Sequence, residues 1–137
     1  MEPSSPGTSS VVLVVEDEML VRMIAAEVPA EAGFTVIECA SAEEALAVLH
    51  ARADVQVVFT DVNMPGTLDG LTLAHIVHQQ WPAVGIAIGS GRIRPDPGEL
   101  PPGSLFLAKP YVCSALTDAV CALAGAQQTP TPTLRPQ

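Results

Sequence analysis

Apolar residues along this chain fall into short unbroken runs that alternate with stretches of helical spacing. Val11–Val15 is a run of β-branched and leucine side chains, the pattern of a strand buried on both faces. From Glu18 onward, Leu20, Met23, Ile24 and Val28 recur at helical spacing; Pro29 is expected to end or kink that helix and Gly33 to close the segment. A second strand is predicted over Phe34–Cys39. Ser41 followed by Glu44 is a capping-box signature, and the helix it opens carries Ala42, Ala45, Leu46 and Leu49 on one face. A third strand is predicted over Val55–Thr60, then a turn-rich loop from Asp61 to Asp69. Asp69 is placed to cap a third helix with Leu73, Ile76 and Val77 on its apolar face. Val84–Ile88 and Leu105–Ala108 read as the fourth and fifth strands. Between them, residues 91 to 103 hold four prolines and three glycines, so a fourth helix there is predicted to be short or missing. The last helix is predicted over about Val112 to Ala124, with Val112, Leu116, Ala119, Val120 and Leu123 inward.

Five short buried strands separated by helical segments specify an α/β domain with a parallel sheet covered on both sides, and right-handed crossovers make it a three-layer, doubly wound fold. The domain is expected to occupy residues 10–126. Residues 1–9, rich in Ser, Pro and Gly, and residues 127–137, where Thr and Pro alternate, are expected to be disordered flanks. The length of 137 residues suits one domain with a real core, and with 48% apolar but only 4% aromatic residues that core must be aliphatic. A formal net charge of −9 argues against nucleic acid and anionic membrane surfaces as partners. No apolar run approaches the roughly 18 residues of a membrane span, and Met1–Ser10 has no basic residue, so neither a span nor a secretory signal is expected. Cys39, Cys113 and Cys121 show no Cys-x-x-Cys pairing, which suggests neither a disulfide framework nor a zinc site. A cytoplasmic location follows as the expectation.

In doubly wound sheets ligands sit beyond the carboxyl ends of the strands. Glu16 and Asp17 follow the first strand, Asp61 the third, Ser90 (between Gly89 and Gly91) the fourth, and Lys109–Pro110 the fifth. Each alone has an ordinary reading, as a helix cap, turn former or loop hydroxyl; their convergence on one rim does not. Crowded carboxylates either take up protons or hold a cation, and hard oxygen ligands in this number suit Mg²⁺. Neutralised by Mg²⁺ and by Lys109, the one lysine of the chain, an anionic phosphoryl group becomes open to attack by a carboxylate. Ser90 is placed to hydrogen-bond a phosphoryl oxygen. His75 and His78, three apart on the third helix, read as solvated surface, and Trp81 as the cover of that helix's end.

The segments VVLVVEDE (Val11–Glu18) and FTDVNMPGTLDG (Phe59–Gly70), with Ser90–Gly91 and Lys109–Pro110, resemble the receiver domain of bacterial two-component response regulators, of the stand-alone kind. The likeness runs from about Val11 to Ala124. It implies a flavodoxin-like sheet with strand order 2-1-3-4-5. It implies Asp61 as phosphoacceptor for a histidine kinase or histidine phosphotransfer protein, and Mg²⁺ held by Asp17, Glu16 (through water), Asp61 and the backbone carbonyl of Asn63. Lys109 pairs with the phosphoryl group, Ser90 and Phe106 form the switch pair, and Asn63 and Arg92 set the rate of hydrolysis. Such a protein catalyses its own phosphorylation and autodephosphorylation without being an enzyme in the usual sense, and signals to a downstream protein by contact; its oligomeric state is left open.

Four features depart from the family pattern: an extra residue in the loop after Asp61, Gly89 in place of a bulky apolar residue, Pro29 within the first helix, and Pro95, Pro97, Pro101 and Pro102 across the expected fourth helix. Two other classes compete. A receiver-like adaptor that is never phosphorylated has no need of the intact acidic set. A nucleotide- or flavin-binding domain needs a glycine- or hydroxyl-rich loop where this chain has Glu16-Asp17-Glu18.

Overall fold

The computed structural model describes residues 10–62, 64, 68–90, 96–108 and 113–128. The expected flank 1–9 and residues 129–137 of the expected flank 127–137, together with Asn63, Arg92, Lys109, Pro110 and Val112, lie outside the described residues, while 127 and 128 continue the last helix. The elements are β1 (Val11–Val15), α1 (Met19–Glu31), β2 (Thr35–Cys39), α2 (Ala42–Ala51), β3 (Val55–Asp61), α3 (Gly70–Gln80), β4 (Gly85–Ser90), β5 (Leu105–Ala108) and α4 (Cys113–Gln128). The five strands form one parallel sheet in the order β2-β1-β3-β4-β5, the flavodoxin-like order expected.

Two apolar layers sandwich this sheet. Val11, Leu13 and Val15 of β1, with Val58, Ile86 and Ile88, pack under α2 and α3 through Ala45, Leu49, Leu73, Ala74 and Val77. Val12 and Val14, with Val57, Phe59 and Ala87, pack under α1 and α4 through Ala25, Val28, Leu116 and Val120. A register shift in β3, where Val11 faces Val55 but Val12 faces Val57, sets Val55 and Val58 on the same side of the sheet.

The helix starts follow the predicted chemistry. Ser41 Oγ accepts from the Glu44 N–H at 3.1 Å while Glu44 Oε1 accepts from the Ala40 N–H at 2.8 Å, and Asp69 Oδ1 accepts from the Thr72 N–H at 2.8 Å.

The first helix differs from expectation in two ways. Pro29 does not stop it: the helix runs to Glu31 with Pro29 buried in its last turn. The carbonyl of Pro29 accepts from the Ala32 and Phe34 N–H groups, and the chain then turns at Gly33, whose φ of +103° favours glycine. The buried face is Ala25, Ala26, Val28 and Pro29, whereas Leu20, Met23 and Ile24, whose spacing marked the helix, are exposed.

β4 begins one residue later and ends two residues later than predicted, so Gly89 and Ser90 belong to the strand. Gly89 stands where it does because Phe59 occupies the space of a side chain: a Cβ there would lie 3.3 Å from Phe59 Cζ. In the crossover from β4 to β5 the described residues hold no α-helix, only a 3-10 turn at Pro97–Glu99, in keeping with the proline content. α4 extends to Gln128, four residues past the predicted end.

Substitution of the cap, Ser41→Ala, is expected to lower stability by about 1 kcal/mol, and Leu73→Ala, at a fully buried position, by about 2–5 kcal/mol. Urea unfolding with an unchanged slope for both variants is the check.

Candidate functional site

β1 and β3 are neighbours in the sheet, with Val15 opposite Thr60, so the residues that follow them emerge side by side at one rim. Glu16, Asp17 and Asp61 converge there, each offering a carboxylate oxygen within 4.8 Å of the others. Glu16 is buried, Asp61 half-buried and Asp17 exposed. The three therefore line a cleft that is floored by protein and open to water on one side.

The floor is held by backbone contacts. The Glu16 N–H donates to the Cys39 carbonyl at 3.0 Å, tying the end of β1 to the end of β2. Glu16 Oε2 accepts from the Glu18 N–H at 3.1 Å. Arg22, one turn into α1, donates from Nη1 to the Glu16 carbonyl at 3.0 Å and from Nε to Glu38 Oε1 at 3.2 Å. Its guanidinium thus braces the acidic segment from outside the cleft. Burial, with Glu44 nearby, pushes the Cys39 thiol up to about 11, so this cysteine is part of the floor and not a nucleophile.

On the other side, the Val62 N–H donates to the Gly89 carbonyl at 2.9 Å and the buried Thr60 hydroxyl donates to the Asp61 carbonyl at 3.0 Å. Val62 and Met64 turn back into the core under α3. Ser90 is buried at the end of β4, paired in register with Ala108, the residue that precedes Lys109. Phe106 is half-buried on β5 opposite Ile88 and packs against the α2–α3 layer.

Of the residues singled out by sequence, Glu16, Asp17 and Asp61 are brought together and Ser90 stands two strands away from β1 on the same edge. Asn63, Arg92 and Lys109 lie outside the described residues. Three residues of the rim were not singled out: Arg22, Thr60 and Gly70. Gly70 carried a signal, since glycine is a poor choice for the first turn of a helix unless something passes close to it.

The donor set suits a hard divalent cation. All three groups are carboxylates, the hard oxygen donors that a divalent cation such as Mg²⁺ takes. Without a cation, carboxylates crowded in this way repel one another. His75 and His78 are not part of the cluster; His75 Nε2 meets the Glu99 carbonyl. Trp81 caps the end of α3 as expected and packs edge-on against His50, 4.9 Å between ring centroids. No helix among the described residues is long and apolar enough to cross a membrane.

At pH 8 a thiol raised from 9.0 to about 11 carries about 100-fold less thiolate, so an alkylating reagent should modify the exposed Cys121 while sparing Cys39 until the protein is unfolded. Peptide mapping by mass spectrometry reads the difference.

Comparison with known proteins agrees with the geometry. The family model of the response regulator receiver domain matches residues 12–97, more than half of the chain. A solved response regulator receiver protein from Sinorhizobium medicae WSM419 superposes with a TM-score of 0.81 at 26% identity, covering 88% of this chain and 98% of that one. The receiver domain of NtrX from Brucella abortus gives a TM-score of 0.75 at 28% identity, over 82% of this chain and 97% of its own. Among curated sequences, the sensor kinase CckA of Brucella abortus (strain 2308) is 35% identical over 118 residues, 82% of this chain but only 12% of that much longer protein. With a parallel sheet of this order, a family model matched over residues 12–97 and a curated relative 35% identical, the chain belongs to the response regulator receiver domain family.

Proposed function

We propose that this chain is a phosphoacceptor switch in which Asp61 takes a phosphoryl group from a phosphohistidine, carried by a histidine kinase or a histidine phosphotransfer protein, and signals by protein–protein contact. The observation that carries this reading is the convergence of Glu16, Asp17 and Asp61 within 4.8 Å at the open end of the sheet. Asp17, Asp61, the Asn63 carbonyl and, through water, Glu16 would hold Mg²⁺, which would supply the positive charge an anionic phosphoryl group needs to approach a carboxylate.

This chain's own residues do the rest. An Asp61 carboxylate oxygen attacks phosphorus; the P–O bond forms as the P–N bond breaks, and the electron pair leaves on the imidazole nitrogen, which takes up a proton. Lys109, which directly follows Ala108 at the end of β5, pairs with the transferred group. Ser90 responds to it by hydrogen bonding, and Phe106 on the neighbouring strand by rotating. Loss of the phosphoryl group runs through attack of water on phosphorus, which returns the carboxylate and releases inorganic phosphate, at a rate tuned by Asn63 and Arg92. The alternative, an adaptor that is never phosphorylated, leaves three crowded carboxylates without a purpose.

The donor's docking surface belongs to the same reading. Met19, Leu20, Met23 and Ile24 are 60%, 69%, 48% and 63% exposed on the first turns of α1, immediately after Asp17. A contiguous apolar strip beside the reactive carboxylate fits a helical partner that brings its histidine to Asp61.

Incubation with a small phosphodonor and Mg²⁺ is expected to add the mass of one phosphoryl group to the wild type and none to Asp61→Asn. An unmodified wild type, or an adduct that persists in Asp61→Asn, would sink the reading. Leu20→Glu and Ile24→Glu should each slow transfer from the phosphohistidine protein by about 10-fold or more, while the rate with the small donor does not fall.

A further inference from the structure

The loop that leaves Asp61 returns to touch it. Gly70 opens α3, and a Cβ placed there would lie 1.7 Å from the Asp61 carbonyl oxygen, 2.7 Å from its carbonyl carbon and 2.9 Å from Thr60 Oγ1. Real Cβ contacts do not fall below 3.0 Å, so any side chain at this position must push the two backbones apart by more than 1 Å. The Gly70 N–H donates to the Val62 carbonyl at 2.9 Å, which closes the loop.

The peptide joining Asp61 to Val62 is thereby held from three directions. Its carbonyl accepts from the buried Thr60 hydroxyl at 3.0 Å, its N–H donates to the Gly89 carbonyl at 2.9 Å, and the Gly70 Cα lies against its oxygen. The Asp61 carboxylate hangs from the Cα at one end of that peptide. Fixing the peptide fixes the Cα from which the carboxylate reaches the cluster with Glu16 and Asp17. Helix propensity does not explain the choice, since glycine in a helix costs about 0.5–1 kcal/mol relative to alanine.

We infer that Gly70 is a positioning residue for Asp61: the missing side chain lets the start of α3 clamp the Asp61–Val62 peptide and hold the carboxylate in the acidic cleft. The inference rests on the phosphoacceptor reading for its consequence in rate. Displacement of a reacting group by 1 Å costs about 100-fold, so the expected effect is large.

Gly85 supplies a control. A Cβ there would meet Leu123 Cβ at 2.7 Å, a milder clash but one also below 3.0 Å, at the opposite end of the sheet, where β4 begins. Gly70→Ala and Gly85→Ala are compared with wild type for urea stability, for Mg²⁺ affinity and for the rate of adduct formation from a small phosphodonor, followed by intact mass. The expected result is a rate about 100-fold lower and a weaker Mg²⁺ affinity in Gly70→Ala, with neither changed in Gly85→Ala beyond its loss of folded fraction. Equal losses in the two variants, or a wild-type rate in folded Gly70→Ala, would overturn the inference. If Gly70→Ala does not fold, Thr60→Val takes its place: it keeps the shape, removes one hold on the same carbonyl, and must slow the reaction by about 10-fold, the weight of one hydrogen bond of about 1.4 kcal/mol; an unchanged rate counts against the clamp. Should the wild type take up no phosphoryl group, the functional reading fails by itself. The clamp is then judged by the amide resonances of Glu16, Asp17 and Asp61, which must shift in the clamp variant and not in Gly85→Ala; unshifted resonances overturn it.

Discussion

The whole molecule is organised around a strand with no water on either side. All five residues of β1 are 0–1% exposed, three facing the α2–α3 layer and two the α1–α4 layer. A backbone in that position must satisfy its N–H and C=O groups by pairing on both edges, and β1 does so between β2 and β3. Polar side chains are excluded along its length, and the first points where they reach water are the residues just past its end. Glu16 and Asp17 occupy those points. The same reasoning places Asp61 past the apolar part of β3, so the collection of carboxylates at one rim is a consequence of burying the sheet twice.

That constraint explains which parts of the structure were legible in the sequence. β1, β3, the capped starts of α2 and α3, and the acidic trio all follow from runs and alternations that a single chain displays, because each is set by neighbours close in sequence. The face of α1 was not legible. Leu20, Met23 and Ile24 are its most apolar residues and remain exposed, while Ala25, Ala26, Val28 and Pro29 are buried. Helix spacing shows that a helix forms; which side lies on the sheet depends on how closely the backbones approach, and small residues win that contest. The end of β4 was missed for a related reason. Gly89 and Ser90 have little strand propensity, and they are extended because Gly89 pairs with Asp61 of β3 and Leu107 of β5, and Ser90 with Ala108 of β5. At the site, side chains that act directly could be found from their position after an apolar run. Arg22, Thr60 and Gly70 act on backbone carbonyls, and a sequence gives no sign of where a distant carbonyl will be.

The same contacts tie the site to the rest of the fold. The Asp61–Val62 peptide is joined to β4 through the Gly89 carbonyl, next to Ser90, and to α3 through Gly70. A change in charge or shape at Asp61 therefore bears first on those two elements. β4 is paired in turn with β5, where Ala108 stands opposite Ser90 and Phe106 opposite Ile88. Beyond α3 lies the 3-10 turn of the β4–β5 crossover, which touches that helix through His75 Nε2 and the Glu99 carbonyl, with Leu100 packed on the core below. Prolines 97, 101 and 102 keep this stretch out of a helix, so its backbone groups are satisfied locally, as in the 2.7 Å bond from Ser104 Oγ to the Pro101 carbonyl. Any partner that met the described part of this crossover would find a short, internally bonded turn braced against α3.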